Sequence, residues 1–498
     1  MDTLKSILSH TKEKWIVVTS MAFILVNAFL IGTERDFFIL IPALLLFVLV
    51  YILFPVKFYM AYLVLSPLSI QLSEFIPVSQ FDMWLPSELM LVALTPIALL
   101  MLVSENSVNR WFTWHPVLLI IYFFVGWLTV STVTSTIPLV SFKYLVLKIL
   151  YFVVLFYLPF ILFVNNTIPF KKVIVLYSLG LLTVILITLS KQWQNGLFDK
   201  FVAHGSCNPY FIDHTSYAAT LALLIPVSIA FYLSTKLSKA KILFLLLSVV
   251  LLIALILSYT RAAWLSLIVA VAIWVIWLMK IRFRFVVLMA AILFGSVYHY
   301  EDDIIIWLNQ HKTASSADIS KHISSIANIR TDESNVERLN RWTSAIRMFE
   351  EKPILGWGPG TYMFQYAPYQ ASYLKTRESS NLGLKGNAHS EYLGLLSESG
   401  LPGALAFILI LTLLLYKGFH LALTLKPKST ERNITIGVLL GLITYLVHGF
   451  MNNFLDMDKV AVLFWGYAAF ILATEYNYSK SKPSIEISSK TSASDSLS

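Results

Sequence analysis

Long apolar runs joined by short polar connections fill most of this chain, and one polar stretch near the C-terminal end interrupts the pattern. A helix needs about 20 apolar residues to cross the hydrocarbon core of a bilayer, or about 17 at the short end. Runs that meet this measure lie near 15–32, 37–55, 57–71, 84–103, 115–135, 140–164, 170–190, 216–234, 241–259, 262–279, 284–299, 401–418, 434–452 and 459–475. They predict an all-α integral membrane protein with about 12–14 transmembrane helices. The run at 57–71 contains Pro67 and is short enough for a re-entrant segment, and the run at 284–299 is also weak. The chain therefore divides into an N-terminal bundle over 1–299 with about 11 spans, one large loop over 300–400, C-terminal helices over 401–476, and a tail over 477–498. That tail is rich in Ser and Lys with almost nothing to bury, so disorder is expected.

The large loop has a pattern of its own. From Asp332 to Glu351, Val336, Leu339, Trp342, Ile346 and Phe349 recur at steps of three or four, which predicts an amphipathic helix ended by Pro353. Its apolar stripe is expected to lie on the membrane or on the helical bundle, with Arg338 and Arg341 on a common side. Gly356-Trp357-Gly358-Pro359-Gly360 reads as a tight turn. A second short helix is expected from about His389 to Ser399, stopping at Gly400 before the next span opens with Pro402.

Composition agrees with the pattern: of 498 residues, 57% are hydrophobic and only 13% charged, with a mean hydropathy of +0.74. Soluble globular proteins carry about 25% charged residues. A net charge of +9 in a soluble protein would suggest nucleic acid, but here Lys and Arg sit in the short connections. They mark the cytoplasmic side instead. With the N-terminus inside, that side receives Lys5, Lys12, Lys14, Lys57, Arg110, Lys171, Lys172, Lys236, Lys239, Lys241, Lys280, Arg282, Arg284, Lys426, Lys428, Arg432 and the tail lysines, whereas the opposite loops hold little beyond Arg35, Lys191, Lys200, Arg261 and Lys459. The large loop, the 191–215 loop and the turn at Arg261 then face outward. A single cysteine, Cys207, excludes an intrachain disulfide and a cysteine-based metal cluster.

Several residues are candidates for chemistry. Arg261 follows Ser-Tyr-Thr at the outer end of one span with hardly any loop to occupy. It either snorkels to lipid headgroups or holds an anion in a cavity. Arg338 and Arg341 are either a solvated helix face balanced by Glu337, Glu350 and Glu351, or a clamp on phosphate through the guanidinium fork. His389 is a surface histidine or a base with a pKa near 6.5, and His214 is the competing candidate, for which a cap or headgroup contact is sufficient. The glycine turn lacks the lysine and hydroxyl residue of a phosphate-binding P-loop, so no nucleotide is expected. Asp302, Asp303, Asp456 and Asp458 are scattered and read as outer-face solvation, which leaves no metal site and no cofactor. Lys143 and Lys148 either snorkel or face a lipid-phosphate cavity.

Four segments together resemble the O-antigen ligase and polymerase family of bacterial polytopic glycosyltransferases. They are SYTRAAW around Arg261, RLNRW from Arg338 to Trp342, PILGWGPGTYMF from Pro353, and AHSEYLGLLSESGLPGALAF from Ala388, in that order across about 200–475. The resemblance implies a GT-C-like membrane fold in the bacterial inner membrane, with the large loop extracytoplasmic and both termini cytoplasmic. It further implies a glycan donor carried on undecaprenyl diphosphate, an acceptor hydroxyl on lipid A core, another glycan or a protein, and metal-independent transfer with inversion. Matched residue by residue, Arg261 and Arg338 fall on the arginines that hold the donor diphosphate, Arg341 lies one turn away, and His389 falls on the proposed general base. The family often has asparagine after that histidine; here Ser390 stands in its place, so a role for an amide there does not carry over. The alternative class is a transporter or flippase of lipid-linked glycan, whose sites lie near the midplane on broken helices, often within internal repeats. The concentration of polar residues in one outer loop favours the transferase.

Overall fold

A computed structural model describes residues 54–75, 83–104, 106–279, 333–376, 379 and 386–481. The expected spans at 15–32 and 284–299, nearly all of that at 37–55, Asp302 and Asp303, and the tail beyond Ser481 lie outside the described residues. Two compact units divide at Tyr62 and Leu63. Of the first, only 54–62 are described, and apart from Phe54 they are helical, belonging to α1 (Pro55–Leu65).

In the second unit the helices are α2 (Ser87–Ser104), α3 (Asn106–Thr113), α4 (Pro116–Val133), α5 (Pro138–Val164), α6 (Phe170–Asn195), α7 (Lys200–Ser206), α8 (His214–Ser234), α9 (Ser238–Leu257), α10 (Arg261–Leu278), α11 (Glu333–Glu351), α12 (Tyr362–Gln365), α13 (Glu391–Thr424), α14 (Thr430–His448) and α15 (Asp458–Ser481). Ile70–Gln71 and Trp84–Leu85 form one short antiparallel bridge. Eight of the described helices are long and apolar enough to cross a membrane, so the chain is an all-α multi-pass membrane protein. With only 11 residues, α1 rises about 16 Å and is too short to span.

Apolar composition alone does not say which helices are central, but small residues do. Gly437 and Gly441 lie four apart on α14, and a Cβ on them would come within 2.5 Å of Ala230 Cβ and 2.6 Å of the Leu223 carbonyl oxygen on α8. Their lack of a side chain lets the two backbones approach closely, the interface expected where lipid offers no hydrophobic drive between helices. α8 is buried along most of its length, whereas α9 exposes Leu243, Leu246, Ile253 and Ile256, as a lipid-facing helix does. Because α8 and α14 are antiparallel neighbours, His214 at the start of one and His448 at the end of the other arrive at the same end of the bundle.

The loop segment is fastened to that end. Trp127 donates to the Ser399 carbonyl at 2.7 Å, Ser131 to the Leu355 carbonyl at 2.7 Å, and the Thr136 backbone N–H to the Trp357 carbonyl at 3.1 Å. The glycine turn uses its own N–H groups here: those of Trp357 and Gly358 donate to the Ser397 and Glu398 carbonyls at 3.1 and 2.9 Å. They are committed to closing the loop on α13 and hold no phosphate.

The short helix expected to stop at Gly400 does so: Gly400 has φ 68° and ψ −174°, outside the helical region, and divides α13 into a short first helix and the span that follows. Two expectations are corrected. The last helix continues past 476 to Ser481. Asp458 is fully buried, with Ser66 donating to it at 3.4 Å, and its neighbour Lys459 is buried too, donating to the Ser69 carbonyl at 2.7 Å over the ring of Trp84. Outer-face solvation thus fails for Asp458, because the connection between α1 and α2 supplies the polar partners that water would have given.

Candidate functional site

α11 forms where the apolar periodicity places it, and its most buried face is not the apolar stripe. Its buried positions are Glu337, Asn340, Arg341, Ser344, Ala345 and Met348, and Ile346 of the apolar stripe is 43% exposed. The polar face is covered because it has partners. Ala345 and Met348 pack with Tyr362, Tyr366 and Ala388, Asn340 donates to Gln370 at 3.0 Å and accepts the Ala371 N–H at 3.1 Å, and Glu337 accepts from Ser379 at 2.6 Å. Once a polar face is fully hydrogen-bonded its burial costs little, and the stripe need not be the inner face.

The two arginines of α11 consequently part. Arg341 is buried, its Nε donates to Glu337 at 2.7 Å and a terminal nitrogen donates to the Asn387 carbonyl at 3.1 Å, while the guanidinium lies over the Tyr366 ring. A Cβ on Gly386 would overlap that guanidinium. Arg341 therefore braces the strap Gly386–Ser390. Arg338 is less buried, donates to Asn335 Oδ1 at 3.2 Å, and lies within electrostatic range of His214, His389 and His448. Removing one side of a buried ion pair costs about 3–5 kcal/mol. Arg341→Ala is expected to lower the apparent melting temperature in detergent markedly and Arg338→Ala to change it little, as a thermal-shift assay on both variants would read.

His389 is held from every side. Its backbone sits at φ 49°, a conformation costly for a side chain, and it is kept there by its N–H donating to Asn387 Oδ1 at 3.0 Å and its carbonyl accepting from Trp342 Nε1 at 3.1 Å. Its Nδ1 is 3.3 Å from Asn452 Oδ1, in the α14–α15 connection. With that oxygen as acceptor, the proton is on Nδ1 and Nε2 keeps its lone pair. Burial, with Arg341 and Arg338 nearby, pushes the imidazole pKa down to about 4, below the value of 6.5 expected for an unperturbed histidine.

Around it lies a histidine-rich cluster. His214 stacks on His204 with ring centroids 3.9 Å apart, and Asp213 caps α8 by accepting the Ser216 N–H at 2.7 Å. His448 is 1% exposed and neither ring nitrogen has a hydrogen-bond partner among the described residues; the same holds for the side-chain nitrogen of Asn452. Arg261 opens α10 directly after Thr260, whose hydroxyl donates to the His214 carbonyl at 3.2 Å, so it belongs to this end of the bundle. No acidic residue lies in the first turn of α10, and a cation there faces the positive end of the helix dipole. An arginine and a helix N-terminus together favour an anion.

The order of these parts along the chain is distinctive, and residues 246–408 match the protein-family model described as O-antigen ligase. That segment is similar to O-antigen ligases over about a third of the chain. No curated protein matches it. The matched segment takes in Arg261, Arg338, Arg341 and His389, but not His214, His448 at the end of α14 or Asn452 in the connection after it. Sequence reasoning singled out the first four and kept His214 as a competitor; it missed His204, His448 and Asn452. The latter two lie inside a run read only as a span, and a histidine and two asparagines at its C-terminal end were the signal available. Among the described residues no group of three His, Cys, Asp or Glu side chains is placed to hold a metal ion.

Proposed function

We propose that this protein transfers a glycan from an undecaprenyl-diphosphate donor to an acceptor hydroxyl, with inversion at the anomeric carbon and without metal or nucleotide. The observation that carries this reading is the convergence of Arg338, the Arg261 helix start and a fixed neutral His389 at one end of an apolar bundle. The match of residues 246–408 to the O-antigen ligase model supports glycan transfer of this type in general. In the proposed site Arg261 and Arg338 hold the diphosphate and stabilise the negative charge that grows as it leaves. His389 Nε2 removes the proton of the acceptor hydroxyl, which attacks from the opposite face. Asn452 keeps the tautomer and Arg341 keeps the strap in place.

The polyprenyl tail would lie along the lipid-facing helices, and the acceptor is lipid A core, a second lipid-linked glycan or a protein. Mass analysis of glycolipids and glycans from bacteria with and without the protein tests the reading. Loss of polymer with repeat units retained assigns a polymerase, and accumulation of unattached lipid-linked polymer assigns a ligase. An unchanged glycan profile with altered movement of lipid-linked glycan across vesicles would support a flippase instead.

The reading also requires the loop to face outward in the inner membrane. Tyr373 is 79% exposed, and Tyr373→Cys is expected to label with an impermeant thiol reagent from the outer side, whereas Lys239→Cys and Lys428→Cys label only after permeabilisation. The reverse pattern would invert the topology and remove the site from its substrates.

A further inference from the structure

Behind the strap that carries His389 lies a cavity of about 90 Å³. Asn387, Ala388 and Ser390 line it, while His389 between them is turned toward Asn452. The far walls are Tyr144 of α5, Gly360 and Met363 after the glycine turn, Gly394 and Glu398 of α13, and Asn453 with Asp456. The space is several times the about 10–15 Å³ that one water needs and it is open on one side, so it can seat one face of a six-membered ring with its substituents.

The lining selects what that ring is. Asp456 accepts from Lys148 at 2.7 Å and its side chain is still 41% exposed; Glu398 accepts the Tyr362 N–H at 3.0 Å through one oxygen; Asn453 Oδ1 is buried with no hydrogen-bond partner among the described residues. Asn387 uses its oxygen on His389 and keeps its amide hydrogens for another acceptor. These are several acceptors and a donor around an apolar patch made by the Tyr144 ring, Met363 and Leu395. Asp456 turns a carboxylate toward the space and the Lys148 ammonium beside it is already engaged, so a phosphate or carboxylate meets no free cation among the described residues that line it. A hydrocarbon tail would leave Asn453 Oδ1 without a partner and take the exposed side of Asp456 out of water. A pyranose satisfies both demands, since its hydroxyls donate to the acceptors and its C–H face lies on the aromatic ring.

We infer that this cavity is a subsite for one neutral or amino-bearing pyranose unit of the glycan, at least one unit away from the bond being made. The inference rests on the glycan-transfer reading only for which glycan supplies the sugar, the donor chain or the acceptor.

Binding without turnover keeps the two separable. The full chain in lipid nanodiscs would be titrated with methyl glucoside, methyl glucosaminide and methyl glucuronide, followed by saturation-transfer NMR. The first two are expected to bind saturably and to compete with each other, and the glucuronide to bind at least about tenfold more weakly because of like-charge contact. A Cβ at Gly394 meets only Ala388 Cβ at 3.5 Å, so Gly394→Leu extends into the cavity without backbone strain. It is expected to abolish pyranoside signals while leaving farnesyl diphosphate binding unchanged. Met363→Trp fills the space from the opposite wall and serves if the first variant fails to fold. Displacement of methyl glucoside by a diphosphate-linked lipid disaccharide assigns the sugar to the donor, and displacement by a free oligosaccharide acceptor assigns it to the acceptor. Absence of saturable pyranoside binding, equal affinity for the glucuronide, or full binding in a folded, filled variant would each overturn the subsite. Loss of transfer in a His389 variant is a separate result and leaves these signals untouched.

Discussion

Replacing His389 by alanine is expected to leave a protein that inserts normally and still binds lipid-linked donor, while transfer falls by at least about 10²-fold, the contribution of a positioned general base. The reason is geometric before it is electrostatic. The residue is held at an unfavourable backbone angle by Asn387 and Trp342, and its Nδ1 is turned to Asn452, so one nitrogen is dedicated to orientation and the other remains for a proton. Asn452→Ala should then retain part of the activity, since it releases the tautomer without removing the base. His214→Ala should be milder than either. Full transfer by the His389 variant at normal protein levels would remove the base and leave a donor-binding site alone.

The pH dependence of the same reaction separates the free from the occupied site. Only neutral imidazole accepts a proton, so the rate falls on the acid side of the pKa. Burial and the two arginines push that pKa to about 4 in the ligand-free protein, so kcat/KM should stay level as pH drops through 6.5 and decline only on approach to 4. A bound diphosphate offsets the arginine charges and favours the imidazolium, so the acid limb of kcat should lie at higher pH than that of kcat/KM. Coincident limbs near 6.5 would mean a histidine exposed to water.

Hydrophobic patterning revealed most of the described helices because a bilayer leaves the backbone few other ways to satisfy its hydrogen bonds. α5 and α8 begin within two residues of their expected starts, and α6 runs five residues past the end of the apolar run. Pattern failed where partners decide. The apolar stripe of α11 did not mark its most buried face, because Gln370, Ser379 and the strap satisfy its polar one. Arg338 and Arg341 are equivalent in a sequence, and only the placement of Glu337, Asn387 and Tyr366 commits one of them to the strap. His448 reaches the site through the Gly437 and Gly441 contact with α8, a spacing legible in the run but without meaning until its partner helix is known. The cavity behind the strap had no sequence signature, since its walls come from α5, the glycine turn, α13 and the α14–α15 connection.

Arg338→Ala is expected to fold, to keep the His389 environment, and to lose about 10²–10³-fold in transfer, the range for removing one group that stabilises developing negative charge. Arg338→Lys should recover only part of this, because an ammonium keeps the charge but cannot make two parallel contacts to phosphate oxygens. Arg261→Ala should behave alike, and the double variant should lose less than the product of the two if both hold one diphosphate. The loss should appear in donor binding as well as in rate, measured with a diphosphate lipid that carries no acceptor. It should also raise the pKa of His389, because one of the cations that depress it is gone; a downward shift of the acid limb would contradict the proximity on which the site is built. Chelators should change none of this. A strict requirement for a divalent ion, restored by adding it back, would transfer the diphosphate charge from the arginines to a metal and end the proposed division of labour.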